Sequence, residues 1–218
     1  MIAQRLSQLL AQLPEGVGLV AVSKLKPASD IEEAYLAGQR AFGENYAAEL
    51  RDKQPLLPGD IQWHHIGHLQ PKQLKYYISF VTLIHGVDTM DHLLAVERAA
   101  ARMGRTVDVL LQVHVAEEAT KFGFAPDELR ALSDAGRLAA ETTPHLRIRG
   151  LMGMATHTDE KQRIRDDFRQ IRLLFEQLRA GAPSFDTLSM GMSHDWPIAV
   201  DEGSTLVRIG SAIFGPRS

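Results

Sequence analysis

The sequence predicts an α/β fold, a single-domain (β/α)8 barrel of the TIM type spanning residues 1–218, with an extra N-terminal helix. Eight short apolar segments alternate with segments of helical periodicity, which is typical of parallel strands joined by right-handed crossovers. The 218 residues suit one large domain, and neither a linker nor a low-complexity segment divides them. An open, doubly wound sheet is the alternative architecture.

Composition and charge exclude several classes of protein. The 24 basic and 27 acidic residues give a net charge of -3, without the basic excess of a nucleic-acid-binding protein. There are no cysteines, which excludes disulfides and thiolate metal sites. No apolar run approaches the roughly 20 residues of a membrane-spanning helix, and the N-terminus is too polar for a signal peptide. We therefore expect a soluble, cytoplasmic protein that is a monomer rather than an oligomer.

Sequence patterns locate the elements in chain order. Apolar residues at helical spacing from Ile2 to Leu13 predict the first helix, and the clearest later helix covers residues 159–178. The arginines of this later helix lie mostly away from its apolar side, which is typical of a solvated face. The predicted strands are residues 17–24, 41–44, 62–67, 82–87, 107–115, 148–154, 187–191 and 205–210.

The carboxyl ends of the predicted strands carry polar and glycine-rich sequence. Lys24 ends the first strand, Asn45 follows the second, and the segment HHIGH at residues 64–68 closes the third. Barrels of this type place their active sites at this end of the strands. We therefore expect a functional site there.

The three histidines of the HHIGH segment raise the question of a metal site. In an extended segment His64 and His68 are roughly 13 Å apart, and His65 points to the opposite face. They are therefore unable to share one ion, and the chain contains no HExxH pattern. We expect packed or hydrogen-bonding histidines and no metal.

Two segments that contain glycine and serine lie at the seventh and eighth strands. The first, LSMGMSHDWP at residues 188–197, also matches an ordinary strand–loop–helix junction, with Ser193 or Asp195 capping a helix that begins near Trp196. The second is GSTLVRIGSAIFG at residues 203–215. Such barrels hold phosphate groups in the loops after strands seven and eight, so the positions of both segments favour a phosphate site.

Arg208 places a charge inside an apolar strand. Val207 and Ile209 share one face of that strand, so Arg208 points to the other. A buried arginine needs acceptors or an anion, because an unpaired buried charge is very costly. Two interpretations stay open: a structural ion pair with an Asp or Glu, or contact with a ligand.

Lys24 is the candidate nucleophile. By default, a lysine at a strand end extends its amine into solvent. Here it shares the barrel end with a predicted phosphate site and an arginine. These groups match what pyridoxal 5'-phosphate (PLP) requires: a Schiff-base lysine, a phosphate anchor and a partner for the pyridine nitrogen. We expect burial and nearby cations to lower the pKa of this amine from its usual value of about 10.4.

In this order, the motifs resemble the pyridoxal phosphate homeostasis protein family, whose fold is the barrel domain also found in alanine racemase. The resemblance covers nearly the whole chain. The segments that carry it are AVSKLKP, FGENY, WHHIGHLQ, IHGVD, TKFG, GLMGM, LSMGMSHDW and GSTLVRIGSAIFG.

The resemblance implies a cofactor site without an assigned catalytic residue. Lys24 would carry PLP as an internal aldimine, Arg208 would face the pyridine nitrogen, and Asn45 would lie near the cofactor. Lys26 and Lys121 match additional lysines that would compete for the aldehyde or pass it on. The residues that match the family's phosphate-holding segments are Ser189, Ser193, Gly210 and Ser211.

The loop after the third strand departs from the family. Family members commonly have Leu-Gln-x-Asn-Lys there, whereas here Leu69 and Gln70 are followed by Pro71, Lys72 and Gln73. A relay or partner role assigned to this loop in the family is therefore not carried over.

The expected function is PLP binding and intracellular PLP homeostasis, with delivery to apo forms of PLP-dependent enzymes and little or no turnover. A permanently cationic arginine opposes protonation of the pyridine nitrogen and weakens the electron sink that catalysis needs. In addition, the sequence ends after the eighth unit, whereas alanine racemase adds a second base from another domain and chain.

Two other functions stay open. One is a PLP-dependent amino-acid racemase that recruits Glu44, His64 or His85 as a base. The other is a PLP-independent barrel that uses Lys24 as an aldolase-type Schiff-base lysine.

Overall fold

The structure, a computed structural model, describes residues 1–118, 122–180, 182 and 184–216. Eight parallel strands close into a barrel in chain order, with the last strand pairing with the first. The predicted (β/α)8 barrel is therefore confirmed, and the open sheet is not adopted. The strands are β1 (Gly18–Val22), β2 (Ala41–Glu44), β3 (Gln62–His65), β4 (Leu83–Val87), β5 (Val107–Val113), β6 (Leu146–Gly153), β7 (Thr187–Ser189) and β8 (Leu206–Ile209).

Helices cover the outside of the barrel. After β3 the connection is a 3-10 turn, Pro71–Tyr76, and a second 3-10 turn, Gln54–Leu56, follows α3. The α-helices are α1 (Ile2–Leu10), α2 (Ala28–Leu36), α3 (Ala47–Lys53), α4 (Met90–Arg102), α5 (Pro126–Asp134), α6 (Lys161–Arg179), α7 (Trp196–Asp201) and α8 (Ser211–Phe214).

The extra N-terminal helix fills a place in this outer layer. α1 packs against α2 and α8, and it buries Ile2, Leu6 and Leu9. The helix after β8 has only four residues and is too short to cover β8 and β1 alone. α1 supplies the missing apolar surface, because its buried residues recur at helical spacing.

α6 confirms the predicted long helix over residues 159–178. Its apolar side buries Ile164, Phe168 and Ile171 against the barrel. On its outer side Arg165 donates a hydrogen bond to Glu202 at 2.9 Å, so this solvated face also fixes the end of α7. None of the described helices is long and apolar enough to cross a lipid bilayer.

Each predicted strand overlaps an observed one, but most run too far at the carboxyl end. In the first case residues 23–26 form a turn, in which the amide of Lys26 donates to the carbonyl of Ser23 at 3.1 Å. The sixth strand instead begins earlier than predicted, at Leu146. Arg147 and Arg149 interrupt the apolar pattern of this strand, which hides its start in the sequence. The strand accommodates both arginines because both pair with Asp108 of β5.

Candidate functional site

A pocket of about 380 Å3 opens at the carboxyl ends of the strands. Its lining comes from the ends of β1, β2, β3, β6, β7 and β8 and the loops that follow them. Seven residues were predicted to bind a cofactor, and six of them line this pocket: Lys24, Asn45, Ser193, Arg208, Gly210 and Ser211. A second cavity of about 440 Å3 lies near the other end of the barrel, between α5, α6 and the start of β6, and holds none of them.

Lys24 occupies the turn that follows β1. Its side chain is half-buried and lines the pocket. Leu25, the next residue, has a φ of +61°, a left-handed conformation that residues with a Cβ adopt at a cost. Lys26 also lines the pocket, but its amine donates to the carbonyls of Phe214 and Pro216 at 3.4 and 3.2 Å. Both lysines of the AVSKLKP segment therefore lie at the pocket.

Asn45 is held at the pocket by a close approach of two loops. A Cβ added to Gly67 would lie 2.1 Å from the carbonyl oxygen of Asn45, a separation that atoms do not tolerate. Only glycine at position 67 allows the loop after β3 to pass this close to the end of β2. The glycine of the HHIGH segment therefore leaves the space in which the backbone of Asn45 lies.

The two segments predicted to hold phosphate meet at the pocket. The amide of Gly210, at the end of β8, donates to the hydroxyl of Ser193 at 3.4 Å. Asp195 directly precedes α7, but its side chain makes no capping bond to that helix. It accepts instead from the amide of Met192 at 2.6 Å, which folds the loop after β7 back on itself. Asp195 therefore occupies the predicted N-cap position without a capping bond from its side chain, and the hydroxyl of Ser193 is bonded to Gly210.

Arg208 lies inside the barrel, and its guanidinium forms three hydrogen bonds. It donates to the carbonyl of Ser189 at 2.8 Å, to the hydroxyl of Ser189 at 2.6 Å, and to the carbonyl of Gly153 at 3.0 Å. All three acceptors are neutral, so among the described residues Arg208 forms no hydrogen-bonded ion pair with an Asp or Glu. Burial lowers the pKa of Arg208 to about 10, which leaves it charged at neutral pH.

Ser189 lies beneath Arg208 and does not line the pocket. It is fully buried, and its hydroxyl is 3.2 Å from Nδ1 of His85. Nε2 of His85 is in turn 3.0 Å from Nδ1 of His64. A hydrogen-bonded chain therefore runs from Arg208 through Ser189 and His85 to His64.

The donors in this chain can be assigned from one end. A guanidinium only donates, so the Ser189 hydroxyl accepts from it, whereas the direction of the Ser189–His85 bond depends on the tautomer of the His85 ring. We expect the hydroxyl to donate its one proton to Nδ1 of His85, and in that tautomer Nε2 of His85 donates to Nδ1 of His64. Burial lowers the pKa of His64 to about 4 and that of His85 well below 6.5, so both rings are neutral.

The three bases considered for a racemase lie outside the pocket. His64 and His85 belong to the buried chain below Arg208, and neither they nor Glu44 are among the pocket-lining residues. Glu44 is fully buried and contacts Ser23 and Lys53. Burial raises the pKa of Glu44 to about 7.

The remaining histidines of the HHIGH segment lie in separate environments. His65 stacks on Tyr77 with ring centroids 4.6 Å apart, whereas His68 stacks on Phe122 and lies 3.3 Å from the carboxylate of Asp88. Across the residues that the structure describes, no cluster of His, Asp and Glu is arranged to hold a metal ion.

Two other pocket-lining histidines, His157 and His194, were not singled out from the sequence. Their rings meet edge to face at 5.9 Å, and Nε2 of His194 lies 3.2 Å from the carboxylate of Asp195. Both follow strand ends, in MATH and MSHD, which is the signal that would have marked them. Lys121 lies outside the described residues, and Lys72 is exposed on the Pro71–Tyr76 turn.

The protein is therefore a closed (β/α)8 barrel with a ligand pocket at the carboxyl ends of its strands. Lys24 follows β1 in this pocket, and loops that contain serine and glycine follow β7 and β8. The model of the alanine racemase N-terminal domain family matches residues 1–218, and the chain belongs to that family. Among its relatives are two proteins named pyridoxal phosphate homeostasis protein. The one from Pseudomonas aeruginosa is 42% identical over 207 residues, 94% of this chain and 86% of the relative. The one from Pasteurella multocida is 39% identical over 215 residues, 95% of this chain and 90% of the relative.

Solved structures agree with this family assignment. PipY of Synechococcus elongatus without PLP superposes with a TM-score of 0.91 at 39% identity, covering 99% of this chain and 100% of PipY. The PLP-bound form of PipY has a TM-score of 0.89 at the same identity and coverage. Alanine racemase from Corynebacterium glutamicum, at 20% identity and a TM-score of 0.73, shares the fold over 99% of this chain and 60% of its own. The resemblance seen in the sequence motifs is therefore confirmed.

Proposed function

We propose that this chain is a single PLP-binding barrel domain that carries PLP on Lys24 and acts in cytoplasmic PLP homeostasis. The observation that carries the proposal is the meeting of Lys24, Arg208 and the Ser193–Gly210 contact at one pocket. The PLP named in the PipY structure, at 39% identity, supports the same assignment.

The residues of the pocket suit PLP in size and charge. About 380 Å3 lies within the range of small-ligand pockets. Lys24, Lys26 and Arg208 supply positive charge for a phosphorylated ligand, and Ser193 and Ser211 supply hydroxyl groups. When bound, PLP supplies an aldehyde whose carbon forms a C=N bond with the Lys24 nitrogen while the oxygen leaves as water.

Low turnover follows from Arg208 and its surroundings. A guanidinium that only donates does not stabilise a protonated pyridine nitrogen, so it disfavours the strong electron sink that α-proton removal requires. Glu44, His64 and His85, the three bases considered for a racemase, lie outside the pocket lining, whereas His157 and His194 belong to it. We propose binding and release of PLP as the activity, with apo PLP-dependent enzymes as recipients and a monomer as the working form.

The direct test combines absorbance with chemical mapping. The wild-type protein mixed with PLP should develop the absorbance band of a lysine Schiff base, which borohydride abolishes by reducing the C=N bond. Peptide mass mapping of the reduced protein should place the added mass on Lys24. The matched variants Lys24→Ala and Lys26→Ala should differ, with only the first losing this attachment.

Each other outcome has a definite meaning. No band in the wild type would overturn PLP binding and favour the PLP-independent, aldolase-type barrel. Added mass on Lys26 or Lys121 in the wild type would overturn the assignment of Lys24. Exchange of amino-acid α-protons with deuterated water at catalytic rates would favour a racemase instead.

A further inference from the structure

The residues on both sides of Lys24 are hydrogen-bonded to one buried group of charged side chains. Ser23, which precedes Lys24, donates from its hydroxyl to Oε1 of Glu44 at 2.6 Å. Leu25, which follows Lys24, donates from its amide to Oε1 of Glu49 at 2.8 Å. Lys53 joins the two carboxylates, because its amine lies 2.8 Å from Oε1 of each.

Lys53 is the centre of this group. Its ammonium also donates to the carbonyl of Ser23 at 3.0 Å, so three acceptors take up the three N–H donors of the amine. The side chain of Glu44 is fully buried, and those of Lys53 and Glu49 are 11% and 19% exposed. Glu49 and Lys53 are one turn apart on α3, so this short helix presents both side chains to the turn after β1.

The turn needs such support because of Leu25. Its φ of +61° is a left-handed conformation that residues with a Cβ adopt at a cost. Leu25 is 63% exposed and contributes little packing to offset that cost. The hydrogen bond from its amide to Glu49 therefore supports the strained conformation directly, and it holds the peptide bond that joins Lys24 to Leu25.

We propose that Glu49 and Lys53 are positioning residues for Lys24: they hold the backbone of Ser23 and Leu25 so that the amine of Lys24 is presented to the pocket. Neither residue lines the pocket. Their contribution is to keep the reactive amine in place before PLP arrives, which spares the ordering that binding would otherwise require.

The inference rests on the proposed function, so its test includes a measurement made without PLP. In the PLP-free protein, hydrogen exchange of the Leu25 and Lys26 amides is followed residue by residue by NMR. Glu49→Ala removes the acceptor of the Leu25 amide and should speed exchange there about tenfold. Glu49→Gln keeps an oxygen at that position and should leave the exchange rate close to that of the wild type.

PLP uptake supplies the second readout. Glu49→Ala should slow the formation of the Schiff-base absorbance band about tenfold, because small misplacement of a reacting group has large effects on rate. Glu49→Gln should retain most of the wild-type rate. Glu32→Ala, the same substitution on the exposed surface of α2, is the matched control and should change neither readout.

If Glu49 served only the stability of the fold, Glu49→Ala would lower global stability without a specific effect on Leu25 exchange or on PLP uptake. The unfolding midpoint is therefore measured for every variant, and Lys53→Met, which keeps the aliphatic stem, serves as a second route if Glu49→Ala does not fold. The inference would be overturned if folded Glu49→Ala and folded Lys53→Met took up PLP at the wild-type rate. It would also be overturned if the exchange rate of the Leu25 amide were unchanged in Glu49→Ala. Failure of the wild type to take up PLP would overturn the proposed function and leave the exchange result to be judged by itself.

Discussion

Arg208 donates two hydrogen bonds to Ser189, one to its carbonyl at 2.8 Å and one to its hydroxyl at 2.6 Å. With the bond to Gly153, three of the five N–H donors of a guanidinium are directed into the barrel wall. The arginine is therefore held by the barrel wall at a position where it also lines the pocket. The family resemblance matches Ser189 to a phosphate-holding segment, and in this structure its carbonyl and hydroxyl both accept from Arg208.

Ser189→Ala is expected to weaken PLP binding without unfolding the protein. The variant removes the shortest hydrogen bond of Arg208, and a bond to a charged group is worth about 1.5–3 kcal/mol. Because the two carbonyl acceptors remain, we expect about tenfold weaker binding in a PLP titration followed by absorbance. Ser29→Ala, at an exposed position of α2, is the control. Equal affinity of wild type and Ser189→Ala would show that Arg208 needs no hydroxyl partner.

The buried histidine pair should not titrate near neutral pH. Burial holds the pKa of His64 near 4 and that of His85 well below 6.5. We expect the Ser189 hydroxyl, which accepts from Arg208, to donate to Nδ1 of His85, which leaves the proton of His85 on Nε2. Nitrogen-15 NMR of labelled protein should therefore show an unprotonated Nδ1 and a protonated Nε2 in His85 between pH 6 and pH 8. A ring that gains a second proton near pH 6.5 would contradict this assignment.

The barrel and the end at which its pocket opens follow from local sequence. β2 has the predicted bounds, Ala41–Glu44, because a short apolar run is ended there by a polar residue. The fourth strand also ends where predicted, at Val87, whereas the other six predicted strands run past the observed ends. In the first of these the prediction continues through Ser23 to Lys24, but the strand ends at Val22, and the turn after it places the lysine at the pocket.

The contacts within the site join residues that are far apart in the sequence, and local sequence patterns do not predict such contacts. The acceptors of Arg208 come from β6 and β7, and their positions are determined by how the strands are staggered around the barrel. Whether Ser189 faces a ligand or the arginine depends on the same stagger. Lys53 reads as an ordinary helix-surface residue, and only the angle of α3 against the barrel buries its amine beside Glu44.

Gly67→Ala should displace Asn45 from the pocket. The added Cβ would meet the Asn45 carbonyl oxygen at 2.1 Å and its Cα at 2.9 Å, so the two loops must separate. Such overpacking costs about 1–3 kcal/mol, measurable by urea unfolding, and PLP uptake should fall as well. Gly59→Ala is the matched control, because a Cβ there has no neighbour within 4 Å. Wild-type stability in Gly67→Ala would mean that the loop relaxes at no cost.

Glu44 should impose a pH dependence on stability that Glu44→Gln removes. Burial raises the pKa of this carboxyl from 4.5 to about 7, against the opposing attraction of Lys53. Because the folded protein holds the proton more tightly than the unfolded chain, this contribution stabilises the fold fully below pH 4.5. It is lost as the pH rises towards 7 and stays lost above that. The full shift corresponds to about 3 kcal/mol.

The measurement is urea unfolding of wild type and Glu44→Gln from pH 4.5 to pH 8. The wild type should lose about 3 kcal/mol relative to the variant between pH 4.5 and pH 7.5, and the difference should be constant at higher pH. The other groups that face Glu44 are Ser23, Lys53 and Glu49, with His65 opposite it on β3. The pKa of His65 also differs between the folded and unfolded states, since burial lowers it to about 4 in the folded protein. Its contribution to stability therefore rises with pH, opposite to that of Glu44, and it is the same in wild type and Glu44→Gln. A difference that stays flat across this range, or that grows in favour of the wild type, would show that Glu44 is ionised in the folded protein at all these pH values.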